Sequence, residues 1–330
     1  MTPEAYQQLI TELTRLTRRA LPLFGIDQDV QIKLLSYSEN AIFGITDAAG
    51  VPTAVVRVHR PAYHSPNAIR SELDWMAALR QAGIGTPRAW LGLDGDPLQT
   101  LATPTLGERT VTMFSWVAGH FAREDELEAS MLRLGELSAR MHRHARTWQR
   151  PPYFERPRWD QHGTIGPQAH WGHWVLSPGL DAAQTATLRH TAELLCARLD
   201  AFGTDPQRFG MIHADPRLAN LLIEGDTTHI IDFDDCGIGW FLHDLGAALS
   251  FIEHIPACER LVMRWAEGYS RAGSLSEAEV AEFPTFVMQR RLQLLAWRGS
   301  HYETELAQSL DAEWVSATAR MGAEYLCRMS

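Results

Sequence analysis

The stretch from Gly210 to Asp235 constrains this chain more than any other. It reads Gly210-Met211-Ile212-His213-Ala214-Asp215-Pro216-Arg217-Leu218-Ala219-Asn220, then two short apolar segments, then Ile231-Asp232-Phe233-Asp234-Asp235. Leu221-Leu222-Ile223 and His229-Ile230-Ile231 have the composition of buried strands, and the Glu224-Gly225-Asp226-Thr227 turn between them closes a hairpin. A hairpin returns its ends to one place, so Asn220 and Asp232 are expected side by side. Moving the γ-phosphoryl group of ATP asks little covalent work of a protein: one carboxylate to orient the attacking hydroxyl, and oxygen ligands that hold Mg2+ on the phosphates. Asp215 is the candidate for the first task, and Asn220 and Asp232 are the candidate metal ligands. Arg217, two residues after Asp215, stands where a cation could neutralise charge developing on the γ-phosphate. A lone Asp in a turn commonly does no more than cap backbone amides; an acidic loop and a second acidic cluster joined by one hairpin point to a nucleotide and metal site. His213, behind the apolar pair Met211-Ile212, is expected to shape the loop through an internal hydrogen bond.

These residues resemble the aminoglycoside phosphotransferase and choline kinase superfamily, in which a His-x-Asp-x-x-x-x-Asn loop precedes an Ile-Asp-Phe/Trp-Asp/Glu segment. Ser36-Tyr37-Ser38-Glu39-Asn40, Val56-Arg57-Val58-His59-Arg60-Pro61, Met288-Gln289-Arg290-Arg291 and Trp297 are similar to the branch of bacterial stress-response kinases and homoserine kinase-like proteins. The resemblance covers nearly the whole chain. It implies an α+β, protein kinase-like two-lobe fold, with a small antiparallel-sheet lobe at residues 1–117 and a larger, mainly helical lobe at residues 118–330. It further implies ATP and Mg2+ as cofactors, Ser38 and Asn40 in place of a glycine-rich phosphate loop, and a structural Asp244 that pins the catalytic loop. Helices beyond residue 239 would wall the acceptor pocket.

Along the first lobe, Thr2-Pro3 opens a helix with Leu9, Leu13 and Leu16 on one face. Val30 to Leu35 reads as a strand, Ser36 to Asn40 as a loop, and Ala41 to Ile45 pairs with Thr53 to Val58 through the Asp47-Ala48-Ala49-Gly50 turn. No Gly-x-Gly-x-x-Gly is present, but backbone amides and small polar side chains can still receive phosphate oxygens. Kinases normally carry a lysine on the third strand. Lys33 is the only lysine in the chain and lies on the first strand, so the aligned cation is Arg57, which can meet phosphate and carboxylate bidentately. Its expected partner is Glu72, on a helix that Ser65 caps and Pro66 opens, with Trp75 and Leu79 toward the sheet. The plainer reading is a surface ion pair. Strand alternation puts Arg57 opposite Val56 and Val58 and favours the phosphate role, with Arg60 as the alternative cation. The strand Thr110 to Val117 ends at Ala118-Gly119, a hinge where backbone groups near Phe114, Ser115 and Trp116 would read adenine.

In the second lobe, the acidic run Glu124 to Glu128 suits a helix N-terminus that continues through Leu132, Leu134, Leu137 and Met141. Residues 148–180 carry Trp148, Tyr153, Phe154, Trp159, His170, Trp171, His173 and Trp174 among Gly and Pro. Long irregular loops are usually functional or disordered, and this aromatic content argues against disorder. The segment is either a substrate-facing insert or a loop stapled by its own aromatics, and His170-x-x-His173 has no evident third ligand for a metal. Further helices are expected over residues 240–254, 257–271 and from 276 through Trp297.

With 330 residues, 45% hydrophobic and 21% charged, the chain can bury a core and is long enough for two lobes. It contains no run of about 18 apolar residues to span a bilayer, and Met1 to Gln8 lacks the basic and apolar blocks of a signal peptide. A cytoplasmic location and no membrane partner are expected. Cys196, Cys236, Cys258 and Cys327 are too far apart for a Cys-x-x-Cys site and fit reduced thiols. A net charge of −10 disfavours nucleic acid as a partner. Three functions compete: a kinase for the hydroxyl of a small molecule of amino alcohol, sugar or aminoglycoside type; a bacterial protein Ser/Thr kinase of the stress-response type; and a catalytically silent nucleotide-binding module. The complete Asp215, Asn220, Asp232 set opposes the last. The lack of Asp-Phe-Gly or Ala-Pro-Glu after Asp232 favours a small acceptor, while the branch resemblance favours a protein.

Overall fold

The computed structural model describes residues 2–38 and 40–330; Met1 and Glu39 lie outside the described residues, as do the side chains of Pro3 and Glu124. The chain divides into two units, residues 1–119 with 150–155, and residues 120–149 with 156–330.

In the first unit, Thr2 accepts the Ala5 amide and Pro3 starts helix α1, Pro3–Ala20. Strands β1 (Gln31–Tyr37), β2 (Ala41–Thr46) and β3 (Pro52–Val58) are followed by helix α2 (Pro66–Gln81), then by β4 (Gln99–Thr103) and β5 (Gly107–Ser115). The strands form one sheet in the order β1-β2-β3-β5-β4, antiparallel at each pairing. Its core is what the sequence pattern demands: Leu13, Leu16 and Ala20 of α1 pack on Phe43, Ile45, Val56, Val58, Val111 and Met113. The β2–β3 turn is closed by Asp47, whose Oδ1 accepts the amides of Ala49 and Val51, each at 2.9 Å. Two readings change here. Ser36 and Tyr37, read as loop, extend β1 past a bulge and pair with Ile42 and Ala41. β4, which the sequence reading did not identify, pairs with β5 from Gln99 to Thr103.

Residues 150–155, assigned by sequence to the second lobe, pack in the first unit because α2 holds them. Tyr153 donates to Asp74 at 2.5 Å, the Glu155 amide donates to Ser71 Oγ at 3.0 Å, and Ser65 Oγ donates to Glu155 at 2.7 Å.

The second unit comprises β6 (His120–Phe121), α3 (Leu127–Ala145), β7 (Arg158–Trp159), α4 (Gln161–Ile165), α5 (Ala182–Phe202), β8 (Phe209–Ile212), β9 (Leu221–Glu224), β10 (Thr227–Ile230), β11 (Gly237–Trp240) and α6 (His243–Ala248). It continues with α7 (Cys258–Ala272), α8 (Glu277–Ala281), α9 (Phe283–Ser300), α10 (Glu305–Ser309) and α11 (Ala312–Met329). α3 and α7 cross so closely that a Cβ on Gly135 would lie 2.0 Å from the Trp265 carbonyl oxygen, and one on Gly268 would lie 1.9 Å from that of Leu132. Only glycine permits that approach. The expected helix over residues 240–254 is shorter: Trp240 belongs to β11, α6 stops at Ala248, and Phe251 at φ +72° departs from helical geometry. α9 is buried along nearly its whole length, polar residues included; Gln289, Arg290, Arg291 and Gln293 are all 0–1% exposed. Among the described residues no helix is long and apolar enough to cross a membrane.

Candidate active site

The loop between β8 and β9 has little regular structure because a buried carboxylate takes its amides. Asp244, in the first turn of α6, accepts from the His213 amide at 3.2 Å and the Ala214 amide at 2.8 Å, and lies 2.9 Å from His142 Nε2. His142 Nδ1 lies 3.1 Å from the Tyr269 hydroxyl, and the ring stacks on Phe241. Burial alone would raise the Asp244 pKa, but the His142 bond and the charges of His142, His213 and His243 outweigh it and hold the group below the usual carboxylate value. Ala214 adopts φ +68°, a conformation that a non-glycine residue keeps only when its surroundings over-determine it. The two amide bonds to Asp244 supply that constraint. Asp244 thus has the pinning geometry that the resemblance implied.

His213 is fully buried and ties the loop to the end of the following hairpin. Its Nδ1 accepts the Asp215 amide at 3.3 Å, and its Nε2 lies 3.1 Å from the Ile231 carbonyl oxygen. Burial pushes its pKa down, which suits the neutral ring that these two bonds require. The internal hydrogen bonds are those expected of a loop-shaping histidine.

Asp215 sits at the tip with both carboxylate oxygens engaged. Oδ2 accepts from Asn220 Nδ2 at 3.0 Å and from Arg217 Nε at 3.3 Å, while Oδ1 accepts from Arg290 Nη2 at 2.5 Å. Asn220 Nδ2 also donates to the Asp215 carbonyl oxygen at 2.9 Å. With its nitrogen turned onto Asp215, the Asn220 amide is oriented to present oxygen to a cation. The hairpin then does what its sequence requires: Leu221 pairs with Ile230 and Leu222 with His229, and the Ile231 amide donates to the Asn220 carbonyl at 2.9 Å. Asp232 follows directly, at φ +65°. Beyond it, the Trp159 indole donates to the Asp235 carbonyl at 2.6 Å and Arg156 donates to the carbonyls of Asp234 and Cys236, which turns the chain into β11. Asp215, Asn220 and Asp232 are therefore gathered at the ends of one hairpin.

Sequence reasoning missed Arg290 as part of this group. Its guanidinium donates to Ser250 Oγ at 2.9 Å, to the Ala214 carbonyl at 3.3 Å, to Gln293 Oε1 at 3.2 Å and to Asp215, and lies 5.0 Å from the Trp171 ring centroid. The available signal was a run of Gln and Arg in the middle of a helix whose neighbouring residues are mostly apolar. The aromatic segment after residue 156 belongs to this neighbourhood as well. Trp159, Trp171 and Trp174 are buried, Trp159 and Trp171 meet edge to face at 5.5 Å, and Thr164 accepts from Gln289 at 3.0 Å. The segment packs into the second unit's interior and is not a loop merely stapled to the surface.

In the first unit, Arg57 Nη1 lies 2.8 and 3.0 Å from the two Glu72 oxygens, and the residues are 5% and 0% exposed. That burial excludes the surface-pair reading. Asn40 is buried and its Oδ1 accepts the Arg60 amide at 3.0 Å, which ties it to the chain just after β3; Ser38 is exposed, and its amide donates to the Asn40 carbonyl. The amides of Ser115 and Trp116 donate to the carbonyls of Arg88 and Thr53 at 2.8 and 3.1 Å. With both amides taken, an adenine contact at these two residues would fall to their carbonyls or side chains.

Residues 32–283 match the model of the Phosphotransferase enzyme family. The chain is 36% identical to a microcompartment-associated aminopropanol kinase of known structure, with a TM-score of 0.87 over 95% of this chain and 97% of that one. It is 21% identical to an amicoumacin kinase solved in complex with AMP-PNP, Ca2+ and Ami, with a TM-score of 0.75 over 98% and 96% of the two chains. Amicoumacin kinase of Bacillus subtilis (strain 168) is 20% identical over 280 residues, which is 82% of this chain and 80% of that protein.

Proposed function

The chain belongs to the phosphotransferase enzyme family, and from that premise we propose that it uses ATP and Mg2+ to phosphorylate the hydroxyl of a small molecule, an amino alcohol first among the candidates. The observation that carries the reading is the Asp215 loop: a carboxylate whose Oδ2 is fixed by Asn220, with Asp232 delivered beside Asn220 by the hairpin. The donor set fits Mg2+, a hard cation that takes one or two protein oxygens beside phosphate and water. Asn220 and Asp232 would hold it, and when bound it would neutralise charge on the phosphate oxygens.

Asp215 orients the acceptor hydroxyl and receives its proton as the new oxygen–phosphorus bond forms and the bond from the γ-phosphorus to the β,γ-bridging oxygen breaks, with ADP as the leaving group. Arg217, about one-third exposed, keeps a cation beside Asp215 that can meet the γ-phosphate. In the first unit Arg57, braced by Glu72, engages the α- and β-phosphates in place of a lysine. Ser38 and Asn40 shape the covering loop, and the carbonyls of Ser115 and Trp116 face adenine. The amino alcohol preference is supported by the 36% identity to the aminopropanol kinase across 95% of this chain. The resemblance to bacterial stress-response kinases favours a protein acceptor, and the identity to the aminopropanol kinase outweighs it. The test is a screen of the purified chain with labelled ATP and Mg2+ against aminopropanol, ethanolamine, choline, sugars and aminoglycosides. Labelled product from an amino alcohol is expected, and failure to phosphorylate any hydroxyl would overturn the reading.

A further inference from the structure

We infer that Arg290 is the positioning residue of the transfer reaction, the group that fixes the direction of the Asp215 carboxylate; this rests on the phosphotransferase reading above. Four observations carry it. Arg290 is 1% exposed, so its guanidinium is not available to solvent. Its Nη2 meets Asp215 Oδ1 at 2.5 Å, while Asn220 and Arg217 occupy Oδ2. Its other donors are engaged by Ser250, Gln293 and the Ala214 carbonyl, and Trp171 covers its face. Finally, Ala214 is the residue held at φ +68° by Asp244. Arg290 therefore grips the loop at its strained backbone and its reactive side chain at once.

The consequence is geometric. A carboxylate on one rotatable bond would sample several orientations toward a hydroxyl. With Oδ1 tied to a guanidinium that is itself immobile and Oδ2 held by Asn220 and Arg217, the carboxylate meets the acceptor in one orientation. The fork of Arg290 serves four acceptors that no single ammonium could reach together, which is why Lys is not an equivalent residue here. The same contacts join the buried aromatic segment to the catalytic loop, through Trp171 on Arg290 and Thr164 on the adjacent Gln289.

The test is a double-mutant cycle in the full chain, with aminopropanol, ATP and Mg2+ as the probe reaction and the acceptor found by the screen as its replacement. Arg290→Met is expected to lower kcat about 10²-fold, the cost of a misplaced reacting group, with the KM for ATP changed less than about threefold. Arg290→Lys should recover part of the loss, and Ser250→Ala, which removes one brace and keeps the guanidinium, should lose less than Arg290→Met. If Arg290 acts through Asp215, the Asp215→Asn/Arg290→Met chain should turn over within about threefold of Asp215→Asn alone. A purely architectural role gives multiplicative losses in the double variant, and that outcome, or wild-type kcat in Arg290→Met, overturns the inference. Circular dichroism of each variant normalises turnover to the folded fraction, and Ser250→Ala carries the test should Arg290→Met not fold. Absence of transfer by the wild-type chain to any acceptor would instead defeat the phosphotransferase reading, and this inference with it; an active wild type with multiplicative losses defeats the inference alone.

Discussion

Arg57 Nη1 stands 2.8 Å from one oxygen of Glu72 and 3.0 Å from the other, inside the first unit and out of solvent. A buried pair of this kind is expensive to break from one side, because the remaining charge stays desolvated. Arg57→Met should therefore cost about 3–5 kcal/mol of stability and raise the KM for ATP. Replacing both partners with apolar residues of similar volume should restore most of the stability, since the uncompensated charge is gone, yet leave the KM high. Urea unfolding and ATP kinetics on the single and double variants separate the two effects; a double variant with a normal KM would reduce Arg57 to a packing residue.

Asp215→Asn keeps the shape of the carboxylate and removes its capacity to take a proton. Turnover should fall roughly 10²- to 10⁴-fold with nucleotide affinity largely retained. Asp232→Ala should instead weaken ATP binding in the presence of Mg2+ and leave metal-free binding little changed. Calorimetric titration with and without Mg2+ checks the second, and steady-state turnover the first.

Much of this site was legible because its parts are close in sequence. Asn220 is near enough to Asp215 that the loop must bring them together, and the Glu224–Thr227 turn fixes the register that returns Ile231 to Asn220. Arg57 and Glu72 are joined by strand and helix order alone. Arg290 was not legible in that way. It reaches Asp215 from 75 residues downstream, and a buried Arg in a helix carries no local mark of its partner. Residues 150–155 were assigned to the wrong lobe for a similar reason: their partners on α2 lie 79 and more residues earlier. The shortness of α6 was hidden because apolar periodicity runs on past Ala248, whereas the break at Phe251 is a backbone conformation that this residue type does not advertise.

Asp244 is the latch of the loop, and its replacement should be felt at the backbone it holds. Asn in its place offers one acceptor oxygen where the carboxylate serves two amides and His142. Asp244→Asn is expected to destabilise the chain by about 1–3 kcal/mol, the range for leaving a buried hydrogen-bonding group unsatisfied. The His213 and Ala214 amides should lose hydrogen-exchange protection before the strands on either side do. Unchanged protection at those two amides would show that something other than Asp244 keeps Ala214 in its left-handed conformation.

His243 makes stability fall with acid, and the sign follows from its burial. The ring is fully buried against Trp159, which it stacks upon, with Gln289 at 3.4 Å from Nδ1. Desolvation, then the nearby charge of Arg290, push its pKa from 6.5 down to about 4. Above pH 6.5 both folded and unfolded chains carry the neutral ring, so the full stability is present. As pH falls through 6.5 the unfolded chain takes up the proton first, and stability drops until the folded ring also protonates near pH 4. The whole interval is worth roughly 3 kcal/mol, and about 2 kcal/mol should already be lost at pH 5. His213, whose pKa is also lowered by burial, acts in the same direction, so the His243 share has to be isolated by substitution. His243→Gln should be less stable than wild type at pH 7, yet should lose about 2 kcal/mol less than wild type between pH 7 and pH 5. Urea midpoints at the two pH values decide it: parallel losses in the two chains would mean that His243 does not couple folding to protonation.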